Sequence, residues 1–105
     1  MSSYEIIMTP DATEDLIKLK NYISDVLLAP QTALKYIRLI RKEIEGLCEF
    51  PERIKLVDDE PWRSKGLRKT KYKNFFIYFR IDESVKRVYI LNIIYARRDQ
   101  LKLLK

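Results

Sequence analysis

The chain has 105 residues, 47% of them hydrophobic, which suits one domain with a real core; 21 basic against 15 acidic side chains give a formal net charge of +6. With no histidine and one cysteine, the chain has no disulfide scaffold, no zinc site of known ligand spacing and none of the usual general bases near neutral pH. Two glycines exclude a Gly-rich phosphate loop or a long flexible linker, and no apolar run approaches the ~20 residues of a membrane span. The opening MSSYEIIMTP carries no signal-peptide pattern, and the lone cysteine points to a reducing, cytoplasmic setting.

Residues 4–8 read as a short strand. Thr9-Pro10-Asp11 then gives a helix start: a capping hydroxyl, a proline at the first helical position and an acid in the first turn. Ala12, Leu16, Leu19, Ile23 and Val26 or Leu27 recur at three- and four-residue steps, which predicts an amphipathic helix over residues 11–28. Ala29-Pro30 stops it. A second helix is expected over residues 31–48, with its stripe on Ala33, Ile37, Ile40, Ile44 and Leu47 and with Lys35, Arg38, Arg41 and Lys42 off that stripe. Phe50-Pro51 ends it. The short link between the two helices makes them an antiparallel hairpin.

Residues 52–62 read as a loop around the acidic turn Asp58-Asp59-Glu60-Pro61. Three strands are expected next, over residues 67–72, 74–81 and 85–95, with a hairpin turn at Asp82-Glu83-Ser84 between the last two. The middle one places Phe75, Ile77, Phe79 and Ile81 on one face and Phe76, Tyr78 and Arg80 on the other. The last, with its run VYILNIIY, is apolar on both faces and reads as a central strand. Residues 96–105 close the chain as a short cationic helix. The whole is expected to be a single α+β domain over residues 1–105: β-α-α-β-β-β, a helical hairpin on one face of a mainly antiparallel four-stranded sheet. The opposite face would carry Arg68, Arg80, Tyr78 and some of Tyr72, Tyr89 and Tyr95, and is the place for a ligand.

Charge is concentrated on that expected face. Residues 62–81, WRSKGLRKTKYKNFFIYFRI, hold seven basic residues and no acidic one, which leaves fourteen basic against fifteen acidic side chains elsewhere. A basic strand pair with interleaved aromatics is a surface for a polyanion. Plainer readings exist for each piece. Alternating Lys69, Lys71 and Lys73 also suits an edge strand charged against aggregation. The four cations of the second helix suit a solvated face, Phe75, Ile77 and Phe79 a core, and Cys48 an inert small hydrophobe.

The ordered set TPDATEDLIKLKNYI, LCEFPER, GLRK, KNFFIYF and YILNIIYARRD resembles the RelE/ParE superfamily, the small toxins of bacterial type II toxin–antitoxin modules. The resemblance runs over nearly the whole chain. It implies a compact β-α-α-β-β-β fold, a cognate acidic antitoxin, no cofactor and no metal. It also implies one of two activities. RelE-type members are mRNA interferases, metal-independent endoribonucleases that cut messenger RNA on the ribosome; ParE-type members poison DNA gyrase without nuclease activity. On the first pattern, Arg68 and Arg97 fall where phosphate-binding arginines stand, Lys65 near the lysines that precede the first of them, and Tyr95 where many members carry histidine. Lys69, Lys71, Lys73, Arg80 and Arg98 would then bind nucleic acid. Where that pattern has a tyrosine near the C-terminus, this chain has Leu103.

Those roles are chemically coherent. Metal-free RNA cleavage needs removal of the 2′-OH proton, stabilisation of charge on the phosphorane and protonation of the leaving oxygen. The planar fork of an arginine suits the second task. Lys65 or Tyr95 could serve in the others only if neighbouring cations lowered its pKa.

Overall fold

A computed structural model describes residues 3–26 and 28–95. The elements are β1 (Glu5–Met8), α1 (Pro10–Asn21), α2 (Pro30–Glu45), β2 (Arg68–Tyr72), β3 (Phe75–Asp82) and β4 (Arg87–Tyr95). The expected C-terminal helix lies outside the described residues, as does position 27. The sheet runs in the order β1-β4-β3-β2, with β1 parallel to β4 and the other pairs antiparallel. β4 is therefore central, as its two apolar faces require.

Thr9 joins the first strand to the first helix. Its hydroxyl accepts from the Ala12 amide at 3.2 Å and donates to the Ile90 carbonyl at 2.6 Å, so one side chain caps α1 and pins it to β4. α1 is shorter than its apolar stripe. After Asn21 the backbone widens into a π-type turn over Tyr22–Val26, where β-branched Ile23 and Val26 flank Ser24 and Asp25, all weak helix formers. α2 ends at Glu45 and tightens into a 3-10 turn over Gly46–Cys48.

Most positions of the predicted stripes are buried, with Leu19 and Ile37 partly so. Ala12, Leu16 and Ile23 from the first helical arm and Ala33, Ile40, Ile44 and Leu47 from the second meet Phe75, Ile77, Phe79, Val88, Ile90 and Ile93 of the sheet. Side chains as fully buried as Phe79, Ile40 and Ile77 each contribute on the order of 1.5–3 kcal/mol. Both β-hairpin turns use a lysine in the left-handed region, Lys73 at φ 54° and Lys86 at φ 54°. The β3–β4 turn spans four residues, so β4 begins at Arg87 rather than at residue 85.

Register decides which side chains share a face. Arg68 pairs with Phe79, Lys69 with Tyr78, Lys71 with Phe76 and Tyr72 with Phe75. Directly opposed residues in an antiparallel pair point the same way. Arg68 and Tyr72 therefore lie on the helix side, against expectation, and Lys69 and Lys71 on the other. β4 carries a bulge: Phe79 pairs with Ile90 and Tyr78 with Asn92, leaving Leu91 over. Asp15 of α1 holds the bulge from outside, accepting from Asn92 Nδ2 at 3.1 Å and from the Ile93 amide at 3.0 Å. On the face away from the helices, Leu67, Tyr78 and Ile94 form a second small core with Val57, Trp62, Phe76 and Leu91.

Candidate binding face

The face of the sheet away from α1 and α2 is built from the odd positions of β2 and the even positions of β3. Lys69 and Lys71 project from the sheet's edge strand, and both reach the same ring: their ammonium nitrogens lie 4.7 Å and 5.9 Å from the centroid of Phe76. On the next strands Arg80 lies over Tyr89, its Cζ 4.8 Å from the ring centroid. In the turn before β2, the Lys65 ammonium sits 5.4 Å from the centre of the Trp62 ring. Each contact contributes about 0.5–1 kcal/mol at an exposed position, enough to lay the long side chain down without hiding its charge.

Between the cations the surface is apolar. Phe76 stands beside Tyr78, with centroids 6.5 Å apart. Tyr78 is only 3% exposed, and burial pushes its phenol upward, with the Asp59 carboxylate adding to the shift. Its hydroxyl stays protonated across the physiological range, so it is no proton acceptor. Among the described residues, no carboxylate comes within ion-pair distance of Lys65, Lys69, Lys71 or Arg80. The face presents unpaired cations over aromatic rings, which is suited to carboxylates or phosphates.

The sequence-predicted site residues do not all come together here. Lys69, Lys71 and Arg80 do. Arg68 is turned to the helix side, where one guanidinium nitrogen donates to the carbonyls of Glu52, at 3.4 Å, and Ile54. It ties the loop after α2 to the start of β2. Tyr95 is on the helix side too, packed at 5.4 Å from Phe75 and 6.5 Å from Tyr22. Lys73 occupies the β2–β3 turn, over Tyr36 at 5.4 Å and Tyr72 at 5.9 Å. Arg97 and Arg98 lie outside the described residues.

Of two parts of the arrangement not singled out as site residues, one is readable in the sequence and one is not. Phe76 as a shared platform was legible in the alternation of β3, which sets it on the same face as Arg80. Asp15 carried no signal, because an acid on an exposed helix arm is ordinary. It also lines a cleft of about 270 Å³ between α1 and the end of β4, whose other acids are Asp11 and Glu14.

A family model described as "ParE toxin of type II toxin-antitoxin system, parDE" matches residues 6–100. No curated protein sequence is significantly similar to the chain. Among solved structures, the chromosomal ParDE toxin–antitoxin system from P. aeruginosa is similar with a TM-score of 0.75 at 23% identity, over 92% of this chain and 100% of that one. The toxin–antitoxin complex RelBE2 from Mycobacterium tuberculosis is similar at TM-score 0.64 and 22% identity, over 90% and 93%. A mutant E. coli toxin RelE in the free state gives 0.62 at 12% identity, over 96% and 92%. At such identities the three share the fold with this chain.

Proposed function

The chain belongs to the ParE toxin family of type II toxin–antitoxin systems, and from that premise we propose that it arrests growth in the cytoplasm by binding DNA gyrase, without cutting RNA. On this reading an acidic segment of the cognate antitoxin neutralises it on the face made by β2 and β3. Antitoxin partnership is supported by the similar structures that are themselves toxin–antitoxin assemblies.

The dispersal of Arg68, Tyr95 and Lys65, the described members of the expected catalytic set, carries the proposal. Cleavage without a metal needs acid, base and charge stabiliser within hydrogen-bond reach of one phosphate. Arg68 is engaged with two backbone carbonyls on the helix side, Tyr95 is packed among aromatic rings, and Lys65 lies over Trp62 in the turn before β2. What remains on the open face is spread across two strands. Such a spread suits contact with a protein surface or an extended acidic segment, and side chains already laid on rings lose less entropy when they bind.

Purified protein added to gyrase and relaxed plasmid should block supercoiling, and the transcripts of an arrested culture should keep their native 5′ ends. New in-frame cleavages within translated messages, with gyrase unaffected, would overturn the proposal.

A further inference from the structure

We propose that the outward face of α2 is a second anion site, separate from the sheet face, and that it takes the phosphodiester backbone of a nucleic acid. Four exposed cations, Lys35, Arg38, Arg41 and Lys42, stand on this helix. Three- and four-residue steps set Arg38 one turn from Lys35 on one side and from both Arg41 and Lys42 on the other. Like charges at these spacings oppose helix formation. Among the described residues no carboxylate pairs with any of them, although Glu43 and Glu45 share the helix. The first turn of α2 has no acid and no side-chain cap.

α1 is built the other way. It has a Thr9 cap, Asp11 in its first turn and a Glu14–Lys18 bridge of 3.0 Å one turn apart. One helix of the hairpin thus carries a balanced surface, while the other gathers like charge from Lys35 to Arg41, with Lys42 alone suited to its C-terminal turn. Like charge gathered at Lys35, Arg38 and Arg41, where spacing makes it repel, marks a place where binding sets the sequence.

The composition of the face selects the anion. A protein partner needs an apolar or aromatic anchor in its footprint. Among the described residues, the outward side of α2 offers one exposed apolar residue, Leu34, and none of its cations lies over a ring. Phosphates ask for cations alone, and two of the four here are arginines with planar forks. From Lys35 to Lys42 the helix rises about 10 Å. That spans about three phosphates of one strand along a duplex. The sheet face, with Trp62, Phe76 and Tyr89 under its cations, has the anchors that α2 lacks. The two basic surfaces therefore fit different partners.

Binding of the full chain to a short random-sequence DNA duplex and to a single-stranded RNA would be followed by fluorescence anisotropy across a salt series. Two variants remove the same charge, Arg38→Ala with Lys42→Ala and Lys69→Ala with Lys71→Ala. The helix pair should flatten the plot of log affinity against log salt by about 1.8 on duplex, from roughly 0.9 per phosphate contact. Across an about fourfold rise in salt it should lose roughly tenfold less affinity than the wild type does. The sheet pair should change the slope by less than half as much. A response on only one of the two probes identifies the source of the backbone and keeps the proposal. Equal slope changes for the two pairs, no binding of either probe at low salt, or a polyglutamate competitor that depends more on the helix pair than the nucleic acids do would each overturn it. The melting temperature of the helix pair variant should equal or exceed that of the wild type, which separates lost binding from lost folding.

Discussion

Arg68→Ala should act on stability before it acts on anything else. The side chain is half-buried at the start of β2 and its guanidinium donates to the carbonyls of Glu52 and Ile54. Hydrogen bonds to a charged group contribute about 1.5–3 kcal/mol when well made and sheltered. Here one of the two is long at 3.4 Å, and water can reach both acceptors once the side chain is gone. A total of about 2 kcal/mol follows, at the low end of that range. For a domain of this size the melting temperature should fall by about 8–16 °C. The reporter is built in, because Trp62 is the sole tryptophan and packs with Leu67 immediately before Arg68. Urea unfolding followed by Trp62 emission should show a clear drop in midpoint for Arg68→Ala. Arg68→Lys should recover part of it, and Lys69→Ala should stay within about 0.5 kcal/mol of wild type, as surface changes do. An Arg68→Ala protein with the wild-type midpoint and no toxicity would refute the structural reading and return Arg68 to a direct role at a phosphate or a target.

Asp15→Ala removes the carboxylate that accepts from the Ile93 amide and from Asn92, and should cost about 1.5–3 kcal/mol, with Asp15→Asn recovering part. Hydrogen exchange should show Ile93 losing protection well ahead of Val88; unchanged protection at Ile93 would mean the bulge does not rely on α1. The Ser84 hydroxyl, 2.6 Å from the Asp82 carboxylate, holds that carboxyl below its ordinary value of 3.8. A depressed folded pKa stabilises the protein above the unfolded pKa, and the benefit is lost as pH falls through the folded one. Ser84→Ala should therefore be less stable than wild type at neutral pH, with the gap closing below about pH 4; a gap that persists in strong acid would place its cause elsewhere.

Most of the fold was legible because periodicity and punctuation agreed. Thr9-Pro10-Asp11 marks the start of α1 by chemistry that the structure uses in full, and the stripe Ala33, Ile40, Ile44 and Leu47 is the buried one. β3 alternates as its sequence does. The end of α1 was not legible, since the apolar stripe continues through the π-type turn and conceals the change of winding. The face of Arg68 is hidden in the sequence for a different reason. β2 reads RKTKY, with only Tyr72 to say which parity meets the core, so its own pattern is nearly silent. The answer lay in the turn: two residues, Lys73 and Asn74, pair Tyr72 with Phe75, and that register carries back to set Arg68 beside Phe79. A slip of one residue exchanges the faces, and with them the inventory of the open side.

That exchange changes what the basic stretch can do. In the sequence it is one run that carries the whole net charge. In the folded chain it is divided: Lys69, Lys71 and Arg80 go to the open face, Arg68 to the helix side, and Lys73 to the turn beside Tyr36. Catalysis rewards convergence on one atom, since misplacement by an ångström costs orders of magnitude in rate. Binding rewards area, and tolerates cations spread over rings provided each stays exposed and unpaired. A run sorted by strand parity into separate patches loses the first property and keeps the second. The division of charge by register, more than its total, makes a binding toxin the better reading of this surface.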